Sequence, residues 1–257
     1  MTHAPSHARA LPAAAYTASA PGRFASSELT RGPWDPAHQH AGPPIALVCR
    51  EIEAAAASHG LGHMARLTAN LLRPVPIGEL TVEVKADYVG RNAGHFSAQL
   101  SAGGKEIARF TALAQRESPL ELPDTLPGHP LPMAPRAPED SPPAHFPFAG
   151  KNIGYADLVE TRLAQGAMWQ GPCAVWFRMR HPLVAGEAPS PYARVAVAAD
   201  SGNGISAVLD YERFLFVNSD LTINLLRRPV GEWICLEART ALGSDGGGLA
   251  ESALYDA

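Results

Sequence analysis

"LTANLLRPVPIGEL" occupies residues 67–80 and "LTINLLRRPVGEW" occupies residues 221–233. One phrase is written nearly twice. Leu67 and Thr68 align with Leu221 and Thr222, and Asn70, Leu71, Leu72 and Arg73 align with Asn224, Leu225, Leu226 and Arg227. After a one-residue insertion at Arg228, Pro74 and Val75 meet Pro229 and Val230; after a two-residue gap, Gly78 and Glu79 meet Gly231 and Glu232. The register then runs on, placing Gly90 and Gly94 on Gly243 and Gly247. The matched residues are chemically varied, so low complexity does not explain them. Two copies of one supersecondary unit is the economical reading.

The surroundings of the first phrase show what the unit is. "GPPIALVCREIEAAAASHG" places Ile45, Val48, Ile52 and Ala56 at helical spacing, with Pro43 and Pro44 suited to a first turn and Gly60 to an exit. Leu47 and Cys49 widen the stripe, so this helix needs cover on several sides. "RLTANLLR" and "ELTVEVKADYVG" alternate as strands, and "HFSAQLSAGGKEIARFTALAQ" reads as a hairpin turning at Gly103–Gly104. An apolar helix and a half-apolar antiparallel sheet bury one another when the sheet curls round the helix.

The second phrase sits in the same order of elements. "GPCAVWFRMR" is a strand, and "PSPYARVAVAADSGNG" is a helix begun near Pro191 and ended by Gly202 and Gly204. "FLFVNSDLTINLLRR", "GEWICLEARTALG" and "GGLAESALYDA" read as strands. The counterpart of "KEIARFTALAQ" does not occur before Ala257, so one further strand is expected there, or another chain covering that edge.

Between the copies, residues 117–148 carry ten of the 24 prolines. Proline removes a backbone donor and fixes φ, so an extended linker is expected between halves at 16–116 and 149–257.

Composition narrows the function classes. With 46% hydrophobic and 18% charged residues the chain is a globular type, and a net charge of −4 gives no reason to expect nucleic acid or an anionic membrane as partner. No apolar run approaches the ~18 residues of a membrane span. The first residues lack the apolar core of a signal peptide and read as a frayed terminus. Cys49, Cys173 and Cys235 are odd in number and lack CxxC spacing, which favours buried reduced thiols in a cytoplasmic protein over disulfides or zinc. "HQH" at 38–40 has no further ligands at metal spacing, so no metal is expected. "SDGGG" follows a strand without opening a helix, and no GxSxG occurs, so neither a phosphate loop nor a serine hydrolase elbow is supported.

"RGPWDPAHQHAGPPIALVCREIE", "LLRPVPIGELTVEV", "FVNSDLTINLLRRPVGEW" and "ARTALGSDGGGLAESALYD" resemble the type II acyl-CoA thioesterases and their bacterial thioesterase-like relatives. The resemblance covers about residues 16–257 apart from the linker. It implies an α+β double hotdog fold: two tandem halves, each an antiparallel sheet wrapped round a central helix. It also implies hydrolysis of a fatty acyl thioester without cofactor or metal, with acyl-CoA as the substrate partner. Two such chains would pair as a homo-oligomer, a dimer of double hotdogs.

In that family an Asp at the end of the second central helix works with a hydroxyl or amide residue on the next strand and a Gln on the last strand. Asp200 matches the first position and Asn218 the second, where a Thr is common; the Gln would lie beyond Ala257. At a helix C-terminus an anion is disfavoured by roughly 0.3–1 kcal/mol, so Asp200 is either an exposed cap residue or a functional carboxylate. Desolvation is expected to raise its pKa and strengthen it as a base. Asn218 can donate to and accept from a held water. Gly42 allows close approach of a ligand to the first central helix, whose N-terminal backbone N–H would meet an oxyanion. His40 is placed either to line the first half's pocket or to be a surface or structural histidine, and Trp34 to wall the acyl channel or to pack a turn. Two other functions stay open: a hotdog protein that binds acyl thioesters without turnover, and an enoyl-thioester hydratase or dehydratase, which needs His40 to face Asp200.

Overall fold

Helix α1 (Gly42–Ala57) starts on Gly-Pro-Pro, which needs no N–H bonds in its first turn, and Ile45, Leu47, Val48 and Ile52 are all fully buried. Only its second half is amphipathic, through half-buried Arg50, Glu51 and Glu53. Such a helix forms because a sheet surrounds it. The computed structural model describes residues 10–121, 123 and 132–257. The first nine residues and part of the expected linker, 122 and 124–131, lie outside the described residues.

The sheet around α1 comes from β1 (Tyr16–Ala20), β2 (Arg23–Ser26), β3 (His63–Leu71), β4 (Glu79–Val89), β5 (Ala93–Ala102) and β6 (Lys105–Gln115). Phe96, Ala98 and Leu100 of β5 and Phe110, Ala112 and Ala114 of β6 face inward in strict alternation. Gly103 and Gly104, at φ 54° and 74°, make the two-residue turn that joins them.

The second half supplies β7 (Pro143–Ala144), α2 (Tyr155–Leu158), β8 (Val159–Gln165), β9 (Cys173–Met179), α3 (Pro191–Ala199), α4 (Gly202–Ile205), β10 (Asp220–Asn224), β11 (Ile234–Leu242) and β12 (Gly248–Asp256). Five of its strands pair in the order β12-β11-β9-β8-β7. The sixth, β10, leaves them and joins the first half, giving the antiparallel order β1-β2-β4-β5-β6-β3-β10. In this pairing Thr222 lies opposite Thr68, Leu221 opposite Ala69 and Ile223 opposite Leu67. The two threonines aligned in the repeat thus sit on a pseudo-twofold axis, their Oγ1 atoms 3.1 Å apart. Helices α1 and α3 pack on each other beside this axis, and one hydrophobic core runs through both halves.

Three expectations are corrected. "FLFVNSDLTINLLRR" forms a strand only over Asp220–Asn224; residues 214–219 are irregular and carry exposed Leu215 and Val217, so Asn218 precedes the strand rather than lying on it. Helix α3 ends at Ala199, and Gly202 and Gly204 lie inside the short helix α4 instead of terminating α3. The expected linker is not extended throughout: β7 pairs with β8 through Pro143 and Ala144, and Phe146 is in the core, so this end of it belongs to the second sheet. The two prolines at 142–143 are tolerated because β7 is a two-residue edge strand. In the first half β6 bridges β5 and β3; among the described residues no strand bridges their counterparts β12 and β10.

Gly42 shows why the helix pair is close. A Cβ there would lie 2.6 Å from the Val197 carbonyl oxygen of α3. The close approach inferred from this glycine is therefore to the other helix. Gly42→Ala is expected to destabilise the protein by about 1–3 kcal/mol through overpacking. Thermal melting should show a Tm lowered by several degrees; an unchanged Tm would contradict this packing.

Candidate active site

Asp200 is the C-cap of α3 and is only 5% exposed. Its two carboxylate oxygens are held from two directions. Asn218 Nδ2 donates to Oδ1 at 2.6 Å and to the Asp200 backbone carbonyl at 3.2 Å, which latches the irregular segment 214–219 onto the helix end. His40 Nδ1 lies 2.9 Å from Oδ2 and arrives from the other half of the molecule. Gly42 N–H is 3.1 Å from the same Nδ1. A carboxylate only accepts, so Nδ1 carries the proton and donates to Asp200; the Gly42 N–H, close to this Nδ1, also contributes a hydrogen bond to the carboxylate. In the neutral ring the free lone pair is then on Nε2.

The sequence expectation that burial raises the Asp200 pKa is overturned. Burial does push it up, but His40, Asn218 and the Gly42 N–H together more than offset this and hold it below the usual carboxylate value. Asp200 is therefore an anion across the physiological range. The helix-end penalty of roughly 0.3–1 kcal/mol is small beside hydrogen bonds to a charged group at about 1.5–3 kcal/mol each.

Local structure fixes His40. Arg31 bridges Gln39 in antiparallel fashion, and His40 N–H donates to the Thr30 carbonyl at 2.8 Å, so the Gly32–Pro36 turn folds back and delivers the ring to α1. The ring stacks on Tyr155 with centroids 3.8 Å apart and planes at 4°. Tyr155 OH donates to the Val197 carbonyl at 2.7 Å and lies 3.0 Å from Ser201 Oγ. Burial pushes the Tyr155 hydroxyl pKa far up, so it stays a neutral donor.

The three residues open onto a pocket of about 620 Å³ that lies between the halves. Trp34 lines it and meets Phe216 edge-on, centroids 5.0 Å apart. Of the five residues singled out in the sequence, Asp200, Asn218, His40 and Trp34 line this pocket, and Gly42 touches it through its N–H contact to His40. Gly42 does not offer its N–H to a ligand, and Pro43 and Pro44 have none to offer. His38 pairs with Asp35 at 3.3 Å near the surface. Among the described residues no group of three or more His, Cys, Asp or Glu is placed to hold a metal ion, and no helix is long and apolar enough to cross a membrane.

Sequence reasoning missed Tyr155, Ser201 and Trp169. Gly154 before Tyr155 lets the chain pass close to the first half, since a Cβ there would lie 2.8 Å from the Arg31 carbonyl oxygen, but that contact leaves no local sequence signal. Gln39, also in the pocket wall, is fully engaged: it accepts from Tyr16 OH at 2.6 Å and donates to the Pro76 carbonyl at 2.7 Å.

The fold has known counterparts. A protein of Thermobifida fusca YX with a provisional thioesterase II designation superimposes with a TM-score of 0.70 at 17% identity, over 95% of this chain and 90% of that one. An acyl-CoA thioesterase II of Mycobacterium marinum gives 0.59 at 14% identity over 94% and 89%. A hot dog fold protein of unknown function from Alicyclobacillus acidocaldarius gives 0.57 at 18% identity over 94% of each chain. At these identities the likeness is one of fold, and it establishes the double hotdog. No curated protein matches the sequence. Family models for the N-terminal and C-terminal domains of acyl-CoA thioesterases match residues 30–115 and 138–257, in that order and one to each half. The chain belongs to the acyl-CoA thioesterase family and is a thioester hydrolase.

Proposed function

We propose that the chain hydrolyses a fatty acyl-CoA with a water activated by Asp200, and the observation that carries this is the Asn218–Asp200–His40 cluster at the pocket wall. Asn218 spends its amide N–H on Asp200 Oδ1, which leaves its carbonyl oxygen as an acceptor beside that carboxylate. A water donating to both would be aimed at a thioester carbonyl in the pocket. Asp200 takes the water proton as the oxygen attacks the carbonyl carbon. The tetrahedral oxyanion then collapses, the carbon–sulfur bond breaks, and the thiolate leaves with the proton returned to it. His40, donating to the other oxygen, stabilises and orients the carboxylate. With the α1 N-terminus occupied, Asn203 is an available oxyanion donor: it lines the pocket, and its side chain has no hydrogen-bond partner among the described residues.

A second reading is favoured by one specific contact. His40 does face Asp200, at 2.9 Å, and such an acid–base pair is what hydration of an enoyl thioester requires. The family assignment makes hydrolysis the first choice. A chain that only binds acyl thioesters would keep the pocket and release no thiol.

Thiol release from acyl-CoAs of several lengths separates these readings. Asp200→Ala should lower kcat by roughly 10²–10⁴-fold, the usual worth of a general base. Wild-type protein that releases no thiol but hydrates an enoyl-CoA would support the second reading.

The pH dependence tests the role of His40. Hydrolysis should fall on the acid side as Asp200 becomes protonated. His40 is one of the groups holding that pKa down, so His40→Ala should move the acid limb of kcat/KM to higher pH. A limb that stays in place, or moves to lower pH, would remove Asp200 from the role of base.

A further inference from the structure

The pocket wall is unusually rich in rings. Trp34, Phe146, Phe148, Trp169 and Phe216 all line it, five of the twelve Trp and Phe residues of the chain. They form two connected series. Phe148 stacks on Phe146 at 5.0 Å, Phe146 meets Tyr155 at 5.7 Å, and Tyr155 carries the His40 ring. Trp34 meets Phe216 at 5.0 Å and 78°, and Phe216 meets Trp169 at 6.0 Å and 52°. The first series ends on the His40–Asp200 contact, and the second is joined through Phe216, on the segment that carries Asn218.

Trp169 is held in a conformation that a bulky residue avoids. Its φ is +65°, the one non-glycine residue in that region among those described. Its N–H donates to the Ile205 carbonyl at 2.9 Å, and that of Gly171 donates to the Ala207 carbonyl at 3.2 Å, so the turn is tied down to α4. Glycine or asparagine would occupy this backbone at less cost. Its indole Nε1 is shut off from solvent and has no acceptor within the described protein. Strain of this kind and an unpartnered buried donor concentrate at ligand-binding positions.

We propose that the pocket selects thioesters whose acyl group carries an aromatic ring, with Trp169 and Phe216 as the specificity-determining residues. The proposal rests on hydrolysis at this site and revises its substrate class, from a plain fatty chain to an acyl group that bears a ring. Edge-to-face and tilted ring arrangements like those already present extend naturally to a further ring, which gains from the quadrupole as well as from its buried area. A saturated chain of equal carbon number gains area only, and it loses more rotational freedom on being ordered.

Phenylacetyl-CoA and octanoyl-CoA carry the same number of acyl carbons and differ in the ring. The test measures kcat/KM for both by thiol release, and Kd by calorimetry for the non-hydrolysable thioethers 2-phenylethyl-CoA and octyl-CoA. The ring-bearing member should be favoured roughly ten-fold in both measurements, from about two added ring contacts. Trp169→Leu should bring the ratio close to one. Phe216→Leu, on an irregular surface segment, should do the same if the Trp169 variant fails to fold. A Kd ratio that is even or favours the octyl ligand overturns the proposal, whatever the turnover. A ring preference in Kd with no thiol release from either substrate sustains the proposal and overturns the hydrolytic reading.

Discussion

The site depends on one buried anion being held by groups from both halves of the chain. Asp200 stands at the C-terminal end of a helix, in contact with little water, where both the helix dipole and desolvation oppose its charge. It is stable there because His40, Asn218 and Gly42 N–H converge on it. Two of those three donors belong to the first half. The pocket, the Asp200 carboxylate and the packing of α1 on α3 are therefore one structural fact rather than three.

Internal symmetry explains the placement, and its breaking sets the two ends of the helix pair apart. The axis through Thr68 and Thr222 relates α1 to α3, so each helix contacts the residues that lead into the other. At one end Asp200 of α3 meets His40, just before α1. At the other, Glu53 of α1 accepts from Ser190 Oγ at 2.5 Å, just before α3. Ser190 also caps α3 by accepting from the Ala193 N–H. Burial there wins, and the Glu53 pKa is raised, whereas that of Asp200 is lowered. The two crossing points thus hold acids in opposite ways: a helix anchor at Glu53, and an ionised, multiply held carboxylate at Asp200.

The repeat was legible because period-two strands and a Pro-started apolar helix leave strong local signals, and because Thr68 and Thr222 face each other as the alignment requires. Asp200 and Asn218 were legible through family resemblance; nothing in their local sequence reveals that they touch. The irregular backbone at 214–219 was misread because "FLFVN" has the apolar content of a strand, yet Leu215 and Val217 face outward and Asn218 is tied to a helix end. The sign of the Asp200 shift could not be read either, since it turns on a ring some 160 residues away in sequence, set by the fold-back of the Gly32–Pro36 turn. Tyr155 and Trp169 were invisible for a similar reason: each acts through a neighbour, His40 and Phe216, supplied by another segment.

The most direct test of a site shared between the halves is a double-mutant cycle on His40 and Asp200, read as kcat/KM for acyl-CoA hydrolysis. If the two side chains work as one unit, His40→Ala and Asp200→Ala will each reduce the rate, and the double variant will be scarcely worse than Asp200→Ala alone. Losses that simply multiply would show the two residues acting independently and would contradict the account.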